Sequence, residues 1–278
     1  MDIVIGNKSG IALHYGGKLM GLTGTELPYF LTSIWFNSTP PSTSQTEFTA
    51  TIEYADGTSR TATISPNTSY TYDALLNGNS TYITRIGDIE LYDYNTGAHK
   101  ANYPSSFAIM SKYPILRSVS HMINFNTGNG KYPSGHNPIN LLSLNTLNVT
   151  DFSEMFYGQP PFWYFDKLDL SHLNTSNGQN FKNMIPYVGV MLSSTDSAFR
   201  IDLSGFDMSK AVTQDSYDIF GASSRLRWNK PIVFVEGCES STVAKIKWSY
   251  QNKLSDELTV SETTVDGKHA LVAVEVTQ

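Results

Sequence analysis

Alternation of apolar and polar residues marks the clearest secondary structure in this chain. Apolar side chains occupy every second position over residues 48–54, and the alternation resumes over residues 60–64. This period of two predicts a pair of strands. Asp56-Gly57 lies between them, and Asp-Gly is a strong hairpin signal because a type I′ turn needs positive φ at both central positions.

The rest of the N-terminal region has weaker patterns. A further β segment is predicted over 82–94, with Gly87 as a bulge or break. Residues 1–45 hold short apolar pieces separated by glycine and proline clusters. They fit either an extended arm that docks on a partner subunit or an irregular first layer of the same domain.

The C-terminal end predicts a second hairpin. Residues 258–260 and 270–276 are strand-like, and Asp266-Gly267 lies between them. Before this hairpin, residues 241–250 fit a short helix capped by Ser241, and residues 244–248 fit a strand nearly as well.

Between these two flanks the sequence repeats itself. Residues 139–156 align without gaps on residues 168–185, at an offset of 29 residues. A third copy begins at 201–209 and closes at 217–220, and a degenerate opening copy lies around 115–125. Each copy has one strand pattern and one helical turn, which cannot bury an apolar face alone. We therefore expect the copies to stack with their strands parallel.

The motif that starts at Leu168, Leu-Asp-Leu-Ser-His-Leu-Asn-Thr-Ser, resembles the BspA-like leucine-rich repeats of bacterial surface proteins. The resemblance covers roughly residues 110–236. Gly178 and Phe181 stand where the family has Val and Met, and the aromatic stretch 158–164 replaces its Cys-x-x-Leu linker. The resemblance implies adhesion or protein–protein contact, and it brings no catalytic residues.

These patterns together predict a mainly β protein with short helical segments, built in three parts. We expect an N-terminal antiparallel β domain over 1–105 and a short leucine-rich-repeat solenoid over 106–236. A C-terminal β cap with a hairpin would follow over 237–278, because such solenoids need their ends covered.

Composition narrows the classes of function. Charged residues make up only 16% of the chain, so Ser, Thr and Asn supply most of its polarity, as in turn-rich β proteins. The formal net charge of −6 and the lack of a basic run argue against a nucleic-acid partner. The single cysteine, Cys238, excludes a disulfide framework within the chain and a cysteine-cluster metal site.

The first residues lack the basic and apolar regions of a secretory signal, and no apolar window is long enough to span a membrane. If Met1 is the native start, we expect a chain made without a secretion signal. A surface-like composition without a secretion signal is expected of a virion component, which lysis releases. The alternative location is extracellular, at a cell surface.

Candidate catalytic groups are few. The six histidines are dispersed and fit no metal-ligand spacing, and the chain has no nucleophile elbow or phosphate-binding glycine loop. His172 occupies a variable repeat position and is expected to face solvent. We therefore expect no metal and no cofactor. Asp88 with Glu90, and Asp166 with Asp169, are the carboxylate pairs that glycan hydrolysis would need.

An aromatic cluster is the most distinctive local feature of the sequence. It predicts either an exposed patch that stacks on glycans or docks on proteins, or a contribution to the core or to a subunit interface. Its candidate binding residues are Phe156, Tyr157, Phe162, Trp163 and Tyr164.

The leading hypothesis is a non-enzymatic structural or recognition protein of a bacteriophage virion, such as a fibre, decoration or tail-associated subunit. Its partners would be other virion proteins or a host-surface protein or glycan, and it would be oligomeric or part of a larger assembly. The second hypothesis is a cell-surface adhesin of a bacterium or protist, and the third is a glycan-degrading tail enzyme.

Overall fold

The computed structural model describes fourteen stretches of the chain. They are residues 3–4, 11–15, 18–22, 33–37, 48–64, 69–70, 72–90, 106–110, 116–124, 139–140, 144–157, 167–185, 199–221 and 230–276.

Short strands dominate these stretches. The strands are β1 Ile3–Val4, β2 Ile11–Tyr15, β3 Lys18–Leu22, β4 Ser33–Asn37, β5 Phe48–Tyr54, β6 Ser59–Ile64, β7 Ser69–Tyr70, β8 Ile83–Glu90, β9 Ser106–Met110, β10 Ile123–Asn124, β11 Ile139–Asn140, β12 Phe156–Tyr157, β13 Lys167–Asp169, β14 Arg200–Asp202, β15 Ile232–Phe234, β16 Leu258–Val265 and β17 Lys268–Glu275. The helices are α1 Tyr72–Leu76, a 3₁₀ turn Asp215–Tyr217, and α2 Ser240–Gln251.

The described strands form four sheets, and three of these contain strands of the repeat copies. One has the order β12-β10-β8-β5-β6, and another has the order β13-β14-β15-β17-β16. Both are mixed, since β8 is parallel to β10 and antiparallel to β5, while β15 is parallel to β14 and antiparallel to β17. A third sheet, with the order β11-β9-β4-β7, is also mixed and contains β11, the opening strand of the copy at 139–156. The fourth sheet has the order β1-β2-β3.

The predicted three-part fold is wrong, although the chain is mainly β. The mixed sheets run across the predicted parts, because β8 of the expected antiparallel domain joins β10 and β15 joins the C-terminal hairpin. The described strands do not close into a solenoid. An apolar pattern defines the buried face of a strand and leaves its pairing partner open, since every strand edge offers the same backbone groups. The domain boundaries stay a prediction.

The first predicted hairpin forms, but with a different turn. Strands β5 and β6 pair over six residue pairs, as expected. Gly57 has a φ of 81°, whereas Asp56 is not left-handed. The Tyr54 N–H bonds the Thr58 carbonyl at 2.9 Å, so the loop has three residues. The Asp56 carboxylate accepts the Thr58 N–H at 2.9 Å and holds this wider loop.

The second predicted hairpin has the two-residue turn that Asp-Gly predicts. Asp266 and Gly267 have φ values of 51° and 76°, and β16 pairs with β17 over eight consecutive residues. The helical alternative for 241–250 is confirmed by α2, whose buried side chains include Val243, Ile246 and Tyr250 at helical spacing. Ser241 is not its cap, because Glu239 occupies that position.

The repeat copies stack in space at the offset seen in the sequence. Single-residue parallel pairings join Arg85 to Ser118, Ser118 to Asp151, and Asp151 to Asn180. The last step is the 29-residue offset of the aligned copies, and the copy expected around 115–125 is the layer that contains Ser118. Residues 83–90 form a further layer, which the alignment of the repeat copies within the chain did not include.

Aromatic rings fill the space between successive layers. The Phe152 and Phe181 rings stack with centroids 5.1 Å apart and planes 4° apart, and Phe206 lies 6.4 Å from Phe181. All three side chains are at most 1% exposed. Burial of such a ring is worth about 2–3 kcal/mol, so contacts between layers supply much of the stability.

Buried hydroxyl groups connect the same layers. The Thr146 hydroxyl donates to the Asn174 carbonyl at 2.9 Å, and the Asp207 N–H donates to the Thr175 hydroxyl at 2.7 Å. Both threonines are 1% exposed. A buried backbone group without a hydrogen-bond partner costs stability. Each threonine hydroxyl therefore supplies a partner to a backbone group that the strand pairing leaves without one.

Helix α2 completes the last layer with side chains of the same kind. The Met208 N–H donates to the Thr242 hydroxyl at 3.0 Å, and the Phe220 N–H donates to the Ser249 hydroxyl at 3.2 Å. Lys245 donates to the Met208 carbonyl at 2.7 Å. The helix therefore supplies partners that a further repeat copy would otherwise supply.

We predict that Gly178→Val lowers the free energy of unfolding by about 1–3 kcal/mol. A Cβ at Gly178 would overlap the Phe181 ring. Urea unfolding followed by circular dichroism measures the change. The double variant Gly178→Val, Phe181→Met should lose less stability than the sum of the losses of the two single variants, because it lacks the overlapping ring. Equal stability of Gly178→Val and wild type would contradict the packing argument.

Candidate functional site

Four successive layers carry a left-handed residue at the same place. Asp88, His121, Glu154 and Asn183 have φ values between 47° and 52°. We call these four residues the polar column. Left-handed backbone is uncommon for residues other than glycine, so its recurrence in four layers is a built feature of the repeat. Each kink directs a polar side chain away from the apolar interior.

Contacts link the column from layer to layer. The His121 Nε2 lies 2.8 Å from the Glu154 carboxylate, with side chains 40% and 26% exposed. The Asp88 side chain is 48% exposed and pairs with Arg85 at 2.9 Å. The column is therefore an ordered, partly solvated row of charged and hydrogen-bonding groups.

Arg85 holds the first layer of the polar column, the layer that contains Asp88. It is 7% exposed, and its guanidinium donates to Glu53 at 2.7 Å, to Asp88 at 2.9 Å and to the Ser120 carbonyl at 3.0 Å. Gly87 makes room for it, because a Cβ there would lie 2.5 Å from the guanidinium. The three contacts join the first hairpin to the stacked layers.

Two further ion pairs lie near Asn183, the last residue of the column. Lys182 contacts Asp215 at 2.9 Å, and Lys253 of the segment after α2 contacts Asp218 at 2.7 Å. The Asp215 carboxylate raises the pKa of Lys182 through its hydrogen bond and its charge. Charges of opposite sign therefore meet across layers on this face.

Strand β14, in the sheet β13-β14-β15-β17-β16, contains a nearly buried carboxylate. Asp202 is 2% exposed. Burial raises its pKa, but hydrogen bonds from the Ser204 amide and hydroxyl and the nearby Lys268 outweigh burial and hold that pKa below its usual value. Asp202 is thus an ionised structural group.

The chemistry of these groups is that of contact and positioning. Within the stretches that the structure describes, no cluster of three or more His, Cys, Asp or Glu side chains could hold a metal ion. None of the helices in those stretches is long and apolar enough to cross a membrane.

The predicted aromatic patch is only partly placed. Phe156 is 0% exposed and belongs to the core, and Tyr157 follows it in β12. Phe162, Trp163 and Tyr164 lie outside the described residues. Phe156 cannot anchor a ligand from a buried position, and binding by the remaining patch stays a prediction.

The predicted catalytic pairs are not assembled by any described contact. Asp88 is bound to Arg85, and Asp169 accepts bonds from the amide and hydroxyl of Ser171 at 3.1 and 2.7 Å. Asp166 lies outside the described residues. His172 does not face solvent as expected, since both of its ring nitrogens are buried.

The polar column was not predicted from the sequence, although the sequence contains a signal for it. His121 and Glu154 are 33 residues apart, as are Asp88 and His121. Extending the repeat alignment upstream at that offset would have aligned the three positions. Their left-handed backbone is a weak signal, because Asp, His and Asn are enriched in that conformation but seldom adopt it, and Glu is not enriched.

Comparison with protein-family models, with curated proteins and with solved structures found no match to the chain. The resemblance to BspA-like repeats therefore stays a prediction from the residues that carry it.

We predict that Arg85→Met lowers the free energy of unfolding by roughly 1–3 kcal/mol, because the partly buried Ser120 carbonyl and two carboxylates lose their donor. Urea unfolding provides the measurement. Arg117→Met, at an exposed position, is the matched control and should change stability little. Equal effects of the two substitutions would show that Arg85 holds nothing together.

We also predict an acid-dependent contribution from Asp202. Because its pKa is lowered in the folded chain, its stabilisation is present above the unfolded pKa near 4 and is lost as the pH falls through the folded pKa. Between about pH 5 and about pH 3, Asp202→Asn should lose less stability than wild type in thermal melts. The exposed Asp256→Asn is the charge control, and parallel pH profiles for wild type and Asp202→Asn would refute the assignment.

Proposed function

We propose that the chain is a non-enzymatic structural or recognition protein that works as a subunit of a bacterial virus particle. In that role it contacts other virion proteins or a molecule of the host surface. The polar column carries this proposal, since it presents one polar group per layer in a fixed row.

Three properties of the column suit recognition. Its side chains stay partly exposed, with Asp88 at 48% and His121 at 40%. Its backbone is fixed by inter-layer hydrogen bonds, such as that from the Glu154 N–H to the Lys182 carbonyl at 2.9 Å. A row fixed before binding loses little conformational entropy when a partner docks.

The charges of Glu154 in the polar column and of Lys182 and Asp215 beside it favour a polar partner. Glu154, Lys182 and Asp215 alternate in charge along the layers. Such alternation directs a partner into one register and contributes more to specificity than to affinity. A protein surface or a glycan with hydroxyl and amide groups has the matching chemistry.

Mass spectrometry of purified virus particles tests the proposed setting. Peptides of the chain should travel with the capsid protein through a density gradient at a constant ratio, while a cytosolic host protein should not. Recovery in the host cell envelope instead would favour an adhesin, and absence from the particles would exclude a virion subunit.

Binding measurements test the role of the column. The double variant His121→Ala, Glu154→Ala should weaken retention of the purified chain on particles that lack it, by about tenfold or more for a contact of central importance. Asp256→Ala, an exposed change elsewhere, should bind as wild type. Unchanged binding of the double variant would remove the column from the proposal.

A further inference from the structure

Among the strands that the structure describes, β16 forms an outer edge of its sheet. It pairs with β17 over eight consecutive residues without a bulge, and β17 separates it from β15. The strand has no proline or lysine, and Glu262, Thr263 and Thr264 are exposed. Proteins usually protect such a long, regular edge against pairing with other strands.

One end of this edge is already protected by a side chain. The Gln251 amide of α2 donates to the Leu258 carbonyl at 3.0 Å, and its oxygen accepts the Val260 N–H at 2.7 Å. A primary amide here takes the place of a peptide group on a neighbouring strand. The remainder of the edge, residues 261–265, has no equivalent cover among the described residues.

The hairpin register shows which backbone groups remain open. Val265 and Lys268 close the two-residue turn, so the odd-numbered residues of β16 bond to β17 and the even-numbered ones point outward. The Val276 N–H bonds the Glu257 carbonyl at 2.9 Å, which agrees with this alternation. Glu262 and Thr264 therefore direct an N–H and a carbonyl each toward the open edge.

From this geometry we infer that β16 pairs with β16 of a second copy of the chain, antiparallel and centred on Thr263. The inference goes beyond the proposed function and does not depend on it. In this register Glu262 of each copy faces Thr264 of the other. The two N–H groups and two carbonyls that each copy leaves open are then all satisfied, through four hydrogen bonds around a two-fold axis.

The open segment matches a second copy better than an arbitrary strand. Gln251 covers the residues before 261, and the turn begins after 265. The open segment is therefore residues 261–265, and its midpoint, Thr263, lies on the proposed two-fold axis. Glu262 is the single carboxylate of the open segment, and it already contacts Lys247 at 2.9 Å. Facing threonine in the partner, it avoids a like-charge pair, which would oppose association.

Sedimentation of the full chain tests this inference. Wild type should have about twice the monomer mass of 30.8 kDa. Thr264→Pro removes one outward N–H per copy and keeps the bonds to β17, so it should weaken dimerisation roughly thirtyfold. Thr264→Val keeps the N–H and should dimerise as wild type. A monomeric wild type, or a Thr264→Pro dimer of unchanged affinity, would overturn the inference.

Cross-linking gives a second test that does not depend on how Thr264→Pro folds. Thr263 would face its own symmetry mate in a non-hydrogen-bonded pair, where Cα atoms lie about 4.5 Å apart and a disulfide can form. Thr263→Cys should give an oxidised dimer on a non-reducing gel. Ser261→Cys should not, because it would face Val265, and Cys238 is common to both variants. Equal cross-linking of the two would refute the register.

Discussion

The structure depends on one interaction, the hydrogen bonding of each layer's backbone to the backbone of the next layer. The Phe152 N–H bonds the Asn180 carbonyl at 2.7 Å, and the Phe181 N–H bonds the Ser216 carbonyl at 2.7 Å. These bonds fix the distance at which Phe152 and Phe181 stack. A single layer could neither satisfy its backbone nor cover its aromatic ring, so its fold exists only in the presence of neighbours.

Local features of the fold were predictable wherever the determining residues are close in sequence. The two hairpins and the repeat offset followed from alternation and from self-similarity. The turn at Asp56-Gly57 was not predictable, because the same dipeptide makes a two-residue turn at Asp266-Gly267. Strand registry decides between the two turns, and it depends on distant partners such as β8, which pairs with β5 through an irregular register.

The candidate site was harder to predict than the fold. Its residues, Asp88, His121, Glu154 and Asn183, differ in type, so neither composition nor a motif search groups them. What they share is a backbone conformation and a layer position, and both arise only when the layers stack. The aromatic cluster was predicted as a candidate binding patch from its composition. Phe156 is nevertheless buried in the core, because a large apolar ring is most stable away from water.

The side chains with which α2 covers the last layer have a consequence for how such a chain can change in length. Thr242 and Ser249 meet backbone groups at one place only, the end of the stack, and Arg85 ties the first hairpin to the opposite end. A duplicated copy placed after the last layer would separate α2 from its partners. A copy placed between two existing layers would meet on either side the same surfaces that it offers. Insertion or removal of a layer between the two ends would therefore leave the contacts of α2 and of Arg85 intact.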